Sequence, residues 1–140
     1  MLRFRLANVN DEELLFHWRK DDEDNSWWQG EGVTRSGHST WLDMMLVPHP
    51  LTKLYVVETA RNPIGQVRID SNGEISFSVD KRWRGQGYGA QMVKEATLRN
   101  CYNGGRIKAN ADRSNEAGIK TMLKADFKIR EDVVFLRYPE

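Results

Sequence analysis

The sequence is poor in cysteine, in histidine and in long apolar segments. Its 140 residues include one cysteine, Cys101, and three histidines. A single cysteine excludes an internal disulfide and is typical of a reducing compartment, and the scattered histidines form no zinc-binding pattern. No apolar run approaches the length of a membrane span, and Met1–Leu6 lacks the character of a signal peptide. We therefore expect a cytoplasmic protein with no metal site and no membrane partner.

The sequence also lacks an excess of charge of either sign. Lys and Arg together number 21 and Asp and Glu 20, so the formal net charge is +1. Proteins that bind nucleic acids through their phosphates normally carry a basic excess, so nucleic acid is not an expected partner. The length suits one domain that can bury a core without disulfides, and no repeat, linker or low-complexity tract divides it. We expect a single domain over residues 1–140.

The most informative stretch of the chain runs from Gly73 to Asn100. Alternating apolar and polar residues over 73–79 predict a strand with one buried face, and apolar residues at helical spacing predict a helix ending near Asn100. Three glycines, Gly85, Gly87 and Gly89, stand between the two elements. Such a turn directs backbone N–H groups and the positive end of a helix dipole toward one point, which suits a phosphate. A tight turn without a ligand is the alternative.

Periodicity elsewhere predicts strands and helices in the order β-α-α-β-β-β-α-β-α-β-β. We expect an α/β (α+β) fold in which a mixed, mostly antiparallel, twisted sheet of about six to seven strands is flanked by about four helices. A turn is expected at Ala60–Pro63, and the charged run Lys20–Asp24 is interpreted as a solvated helix end and loop. The expected strands are 2–6, 53–59, 64–70, 74–79, 106–111, 127–130 and 133–138, and the later helices are 36–46, 89–100 and 115–125.

The glycine-rich turn resembles a motif of a known enzyme family. Arg84-x-x-Gly87-x-Gly89 resembles the acetyl-coenzyme A pyrophosphate loop of the GNAT superfamily of N-acetyltransferases, Q/R-x-x-G-x-G/A. The element order is also that of the GNAT fold, over essentially the whole chain. The resemblance implies direct transfer of an acetyl group from acetyl-CoA to a primary amine of a small molecule.

A second motif supports the first. Asn115–Ile119, followed by Phe127, resembles the family's N-x-A-A/S-I helix, which ends in Gly-Phe. Gly118 and Asp126 depart from the family's usual residues, whereas Asn115 and Phe127 stand at matching places. In the family this helix and its asparagine contact the pantetheine arm of the cosubstrate.

The resemblance implies a set of cosubstrate contacts. The backbone of Phe77–Val79 would bond the thioester carbonyl or the pantetheine, and the N–H groups of Arg84–Gly89 would hold the pyrophosphate. The residues implied to bind acetyl-CoA are Phe77, Ser78, Val79, Arg84, Gly85, Gln86, Gly87, Tyr88, Gly89 and Asn115.

The general base is open between several residues. Family members often carry a catalytic glutamate on the strand before the loop, and Glu74 begins that strand here. His38 is a second candidate, and Asp70 and Asp80 are alternatives near the strand ends. A solvent-facing position for Glu74 and helix packing for His38 are the structural alternatives.

The general acid is equally open. Where many relatives carry a tyrosine seven residues after the helix asparagine, this chain has Met122. Tyr88 is the alternative proton donor, or the thiolate leaves with solvent help. Cys101 follows the far end of the central helix and is not expected to act as a nucleophile.

The acceptor side is expected to lie around the first two helices and the loop between them, where Trp27 and Trp28 stand together. Leu15–Arg19, His38-x-x-Trp41 and Pro63–Asp70 resemble the nucleotide-amino-sugar N-acetyltransferases of bacterial surface-sugar pathways, such as pseudaminic acid synthesis. Aromatic rings can stack on a base or sugar, and arginines can meet a diphosphate. The expected substrate contacts are Trp27, Trp28 and Arg68, with Arg19 and Arg35 as further candidates.

Two other functions remain open from the sequence. A ribosomal-protein-type N-terminal acetyltransferase would share the fold and the motifs, and a non-catalytic acetyl-CoA-binding module would explain Met122. Either a monomer or a homodimer is expected.

Overall fold

The structure of the protein is a computed structural model that describes residues 1–23, 32–48, 52–100, 107–110, 114–131 and 134–137. Trp27, Trp28 and Cys101 lie outside these ranges, so the predictions made for them stay predictions. Within the described ranges the strands are β1 (Arg3–Leu6), β2 (Lys53–Thr59), β3 (Asn62–Ile69), β4 (Ile75–Val79), β5 (Ile107–Asn110), β6 (Lys128–Glu131) and β7 (Val134–Arg137), and the α-helices are α1 (Glu12–Glu23), α2 (Arg35–Leu46), α3 (Tyr88–Asn100) and α4 (Glu116–Lys124).

The expected fold class and order of elements are confirmed, but β3 begins two residues before its expected start. The turn expected at Ala60–Pro63 is shorter, because Asn62 and Pro63 already belong to β3. Ala60 and Arg61 have φ values of 47° and 71°, so two residues suffice to reverse the chain. Pro63 pairs opposite Glu58 beside a register shift, where a missing N–H group is tolerated.

The strands form two sheets that separate beside the glycine-rich turn. The first sheet is antiparallel with the order β1-β2-β3-β4, and the second has the order β5-β7-β6. Within the described ranges, Glu74 and Lys108 form the one bridge between β4 and β5, with the Lys108 N–H donating to the Gly73 carbonyl at 2.9 Å. Within the described part of the chain, β4 therefore pairs with β3 from Ile75 to Val79, and its other edge has no strand partner.

The core lies on both faces of the first sheet. One cluster packs between the sheet and the helices α3 and α4, and Val57, Val67 and Met92 are fully buried there. A smaller cluster packs α1 and α2 on the opposite face of β2, through Leu15, Trp18, Leu42, Leu54 and Val56. Since β2 is apolar on that face, the two helices are anchored on this interior strand, and α1 also contacts β4.

The opposite face becomes polar toward β4. Gln66 pairs with Ser78, and Arg68 pairs with Ser76, so these four side chains share the face that α1 covers. The expectation that β4 has one buried face is therefore wrong at Ser78, whose exposure is 5%. The reason is tertiary, because the last turn of α1 packs against the strand and contacts Ser78 through Asp22.

No helix in the described part of the chain combines the length and the apolar character of a membrane span. In the same residues, no three His, Cys, Asp or Glu side chains are close enough together to hold a metal ion.

Candidate active site

The glycine-rich turn begins where β4 ends. Asp80 accepts a hydrogen bond from the Arg82 N–H and starts one turn of 3-10 helix over Lys81–Trp83. Gly85 and Gly87 follow with φ values of 75° and 83°, a left-handed conformation that favours glycine. A Cβ atom at Gly87 would meet nothing within 4 Å, so its surroundings are open and backbone conformation restricts the position.

Gly89 serves a different purpose, which is close packing. A Cβ atom there would lie 3.2 Å from Phe77 Cε2 and 3.3 Å from Thr121 Cγ2. The missing side chain therefore lets the first turn of α3 approach both β4 and α4. The N–H groups of that turn have no acceptor within the helix, and the positive end of the helix dipole lies beside them.

A cleft of about 410 Å³ lies between the turn, β4 and α4. It is lined by nine of the ten residues that the sequence motifs implied for acetyl-CoA binding: Phe77, Ser78, Val79, Arg84, Gly85, Gly87, Tyr88, Gly89 and Asn115. The tenth, Gln86, does not line it, and its amide Nε2 lies 3.5 Å from the Arg82 carbonyl. Residues distant in sequence thus meet around one cavity.

Asn115 caps α4 at the edge of the cleft. Its Oδ1 accepts a hydrogen bond of 3.0 Å from the Gly118 N–H. A Cβ atom at Gly118 would lie 2.5 Å from Asn115 Nδ2, so the departure from alanine or serine leaves room for the asparagine to fold over the helix start. The cap orients this side chain, and its contact with pantetheine stays a prediction.

Two lysines of the cleft were missed by sequence reasoning. Lys120 and Lys124 are one helical turn apart on α4, and both line the cavity. Their i, i+4 spacing was visible in the sequence, but a net charge near zero gave no reason to single out a basic surface. With the turn's N–H groups, they give the cleft a positive character that suits phosphates.

Asp22 is a third residue of the cleft that sequence reasoning missed. The charged run around it was interpreted as solvated, but α1 continues to Glu23 and its last turn places Asp22 beside β4. The Ser78 hydroxyl donates to Asp22 Oδ2 at 2.7 Å, and Arg84 Nη2 lies 3.5 Å from Oδ1. Burial raises the pKa of Asp22, partly offset by Ser78 and Arg84. Its side chain is 15% exposed and lines the cleft.

The other acidic candidates lie in different surroundings. Glu74 precedes β4 at the end opposite the glycine-rich turn, and its Oε1 accepts from Asn110 Nδ2 at 3.0 Å. It does not line the cleft. Asp70 is 3.3 Å from Arg68 Nε, and Asp80 accepts a 3.0 Å hydrogen bond from the Trp18 indole, which ties α1 to the turn.

His38 is 1% exposed, and both of its ring nitrogens have partners. Nε2 lies 3.1 Å from the Glu12 carbonyl, and Nδ1 lies 3.1 Å from Arg19 Nη1. Since a carbonyl only accepts and a guanidinium only donates, the ring must be neutral with its proton on Nε2. Burial lowers the pKa of His38, and Arg19 lowers it further, in agreement with this assignment.

Tyr88 and Met122 occupy contrasting places. Tyr88 begins α3 and lines the cleft, with its ring edge-on to Trp83 at a centroid distance of 5.8 Å. Met122 is 4% exposed and belongs to the core cluster beneath α3 and α4. Position 122 is therefore a packing position in this chain and offers no proton donor. Tyr88 lines the cleft instead.

The predicted substrate contact Arg68 belongs to a cationic cluster on the α1 and α2 side of the sheet. The guanidinium carbons of Arg19 and Arg68 lie 4.5 Å and 5.8 Å from the centroid of the Trp41 ring. Burial lowers the pKa of Arg19, and the nearby Arg68 lowers it further. Arg35 lies elsewhere, paired with Glu13 and stacked 4.4 Å over Phe16.

Several solved structures with this architecture are acetyltransferases. Spermidine N-acetyltransferase from Vibrio cholerae, in complex with CoA and spermine, matches 99% of this chain and 94% of its own with a TM-score of 0.80 and 15% identity. A phosphinothricin acetyltransferase from Sinorhizobium meliloti in complex with AcCoA matches 98% and 88% with a TM-score of 0.80 and 14% identity. An aminoglycoside acetyltransferase in complex with coenzyme A matches 99% and 95% with a TM-score of 0.75 and 18% identity. At these identities the likeness concerns the fold. No curated protein matches the sequence significantly.

The family itself follows from the sequence profile of the acetyltransferase (GNAT) domain, which matches residues 1–128. The chain therefore belongs to the GNAT acetyltransferase family. As a member it is an acetyl-CoA-dependent N-acetyltransferase, and the expectation of a GNAT enzyme is confirmed.

Proposed function

We propose that the cleft beside the glycine-rich turn binds acetyl-CoA as the cosubstrate. The observation that carries the proposal is the meeting of three features at one cavity: the left-handed glycines Gly85 and Gly87, the start of α3, and the free edge of β4. The turn and the helix start would hold the pyrophosphate, while the N–H groups along β4 would meet the pantetheine and the thioester. Lys120 and Lys124 would bind phosphate from the opposite wall.

The chain's own residues would make direct transfer possible in three ways. The bound cosubstrate supplies an acetyl group activated as a thioester. Its carbonyl would be polarised by a backbone N–H of β4, because none of the described strands covers that edge. The cleft and the polar face of the sheet would bring amine and thioester together. Tyr88, at the mouth of the cleft, is the proposed proton donor for the leaving thiolate.

For the acceptor, we propose an amine that belongs to an anionic molecule, most simply a nucleotide-linked amino sugar. Two guanidinium groups, Arg19 and Arg68, lie against one aromatic ring, Trp41, on the polar side of the sheet. A diphosphate would be attracted by both charges, and a base or sugar can stack on an aromatic surface. The relative from Vibrio cholerae was solved with spermine, a polycation that this arginine pair would repel.

The cosubstrate proposal is tested by calorimetric titration with acetyl-CoA. We expect Gly87→Val to weaken binding at least about tenfold, equivalent to about 1.4 kcal/mol, because valine resists the left-handed conformation and extends into the open space over the turn. The matched control is Gly73→Val, whose glycine has a φ of 82° in the hairpin before β4. Equal affinities for Gly87→Val and wild type would contradict the assignment.

The acceptor proposal is tested by a turnover panel of UDP-linked amino sugars, spermidine and peptides with free N-termini. We expect turnover of a UDP-amino sugar, and a KM about tenfold higher for Arg68→Gln, since a charge-assisted hydrogen bond contributes about 1.5–3 kcal/mol. Arg35→Gln is the control, because Arg35 stacks on Phe16 and pairs with Glu13, outside the Trp41 cluster. Turnover of spermidine or a peptide, without the UDP-sugar, would identify a different acceptor class. A cytoplasmic location and a monomeric or dimeric state stay predictions.

A further inference from the structure

A carboxylate with unusual surroundings stands at the junction of the cleft and the arginine cluster. Asp22 occupies the last turn of α1, lines the cleft and is 15% exposed at its side chain. One turn earlier on the same helix, Arg19 contacts the Trp41 ring. Asp22 therefore lies between the proposed cosubstrate site and the proposed acceptor site, beside the strand whose free edge would hold the thioester.

A chain of hydrogen bonds fixes the orientation of this carboxylate. The Gln66 amide Nε2 donates to Ser78 Oγ at 2.9 Å, and the Ser78 hydroxyl donates to Asp22 Oδ2 at 2.7 Å. The serine hydroxyl uses its proton for the carboxylate, so toward Gln66 it can only accept a hydrogen bond. The Gln66 side chain must therefore present its NH₂ group, and not its oxygen, to Ser78. Both donors lie on the strands β3 and β4, so the rigid sheet positions the group.

Among the described residues, the charged groups that act on Asp22 include members of α1 and of the glycine-rich turn. Arg84, on the glycine-rich turn, lowers the pKa of Asp22, as does Arg19 on α1, while Asp21 on the same helix raises it. Burial is the largest influence and also raises the pKa, so the net direction is upward. A carboxyl group shifted upward from its ordinary range is better matched to proton transfer near neutral pH than an exposed carboxylate.

We propose that Asp22 is the general base that accepts the proton of the acceptor amine. The inference rests on the acetyl transfer proposed above. Asp22 takes one proton from the ammonium, and the freed nitrogen lone pair attacks the thioester carbonyl carbon, so that a C–N bond forms. The C–S bond then breaks, Tyr88 gives its proton to the sulfur and takes up the amine's second proton, and Asp22 releases its proton to solvent. The sum is ammonium plus acetyl-CoA giving amide, CoASH and H⁺.

The test compares Asp22→Asn with Asp21→Asn, a neighbour on the same helix that is paired with Lys81 and does not line the cleft. With the acceptor turned over by the wild type in the panel, we expect kcat to fall by about 10²–10⁴-fold for Asp22→Asn, the usual contribution of a general base. The loss should shrink at pH values above the pKa of the amine, where the substrate arrives neutral. Calorimetry should show that both variants bind acetyl-CoA at least as tightly as the wild type, because neither change removes a positive charge from the cleft.

Unfolding provides a readout that needs no acceptor. The folded state raises the pKa of Asp22. At high pH the buried carboxylate is ionised and lowers the free energy of unfolding, and this loss of stability disappears as the group is protonated at lower pH. Asp22→Asn should therefore unfold at higher denaturant than wild type at pH 8, with a smaller difference at pH 5, and Asp21→Asn should not. The slow hydrolysis of acetyl-CoA, followed by thiol release, supplies the catalytic comparison if the panel yields no acceptor.

The outcomes separate this inference from the proposed function. Failure of the wild type to bind acetyl-CoA would overturn the cleft assignment itself. Normal binding with an unchanged kcat and pH profile in Asp22→Asn would overturn the base role alone. An equal loss of kcat in Asp21→Asn would assign the effect to the charge of the helix end, and would also overturn it.

Discussion

At the scale of single residues, His38 illustrates how packing can occupy both ring nitrogens of a histidine. Histidine is a common general base, so the sequence makes His38 a candidate. In the structure its neutral ring donates to the Glu12 carbonyl, accepts from Arg19 and packs between Phe16 and Trp41. A base needs an available lone pair, and that of Nδ1 is already used. We therefore interpret His38 as a residue that joins α1 to α2.

This interpretation predicts a pH-dependent stability. The folded state lowers the pKa of His38, so its contribution is complete above the ordinary pKa of about 6.5 and is lost as pH falls through the folded value. Between pH 7 and pH 5 the wild type should lose more free energy of unfolding than His38→Gln, by at most about 2 kcal/mol. Denaturant unfolding at both pH values measures the difference.

The control for this prediction is His17→Gln, which changes an exposed histidine on the outer side of α1. It should leave the pH dependence of unfolding as in the wild type. If His38→Gln instead kept the wild-type pH dependence and lost kcat, His38 would be a catalytic residue and the packing interpretation would be wrong.

At the scale of elements, α4 and its N-terminal cap have three roles. Met122 packs into the core, Asn115 caps the helix start, and Lys120 and Lys124 line the cleft. The two lysines are exposed, so the attraction they exert on a phosphate is screened by salt. Their contribution to binding should therefore be visible mainly at low ionic strength.

We predict that Lys124→Gln weakens acetyl-CoA binding about five- to tenfold at low salt, and by much less at 0.5 M salt, where the Debye length is only a few ångströms. Lys20→Gln, which removes a lysine paired with Glu23 on α1, is the matched control and should leave the affinity unchanged.

Titration with dephospho-coenzyme A identifies the phosphate that Lys124 contacts. An equal loss for both coenzymes indicates the pyrophosphate, and a loss confined to acetyl-CoA indicates the 3′-phosphate. No loss at low salt would contradict a role for Lys124.

At the scale of the whole molecule, the two faces of the first sheet have different roles. The face toward α3 and α4 is apolar and holds the larger core cluster. The face toward α1 and α2 is apolar at β2 but polar at β3 and β4, where Gln66, Arg68 and Ser78 stand. Because this face changes from apolar at β2 to polar at β3 and β4, it packs α1 and α2 at β2 and presents polar side chains beside the cleft. The proposed acceptor site lies on the polar part of this face.

Features encoded by near neighbours were predictable from the sequence. The alternation of β2 and the helical spacing of α3 depend on local periodicity, and their bounds agree closely with the prediction. The left-handed glycines of the turn and the Asn115 cap depend on backbone conformation, which a motif of a few residues specifies. The family was therefore recognisable before any contact between distant residues was known.

Contacts between distant residues were decided only by the tertiary structure. Asp22 and Ser78 are separated by 56 positions. Local reasoning placed Asp22 in a solvated run and Ser78 on the polar face of a strand, and it gave no sign that they meet. The pairing of His38 with Arg19, and the two guanidinium groups at Trp41, likewise join different elements. Burial and pKa depend on which groups meet in space, and periodicity carries no information about them. The sequence by itself determined the elements, the turn and the family, whereas packing decided which charged side chains face the cleft.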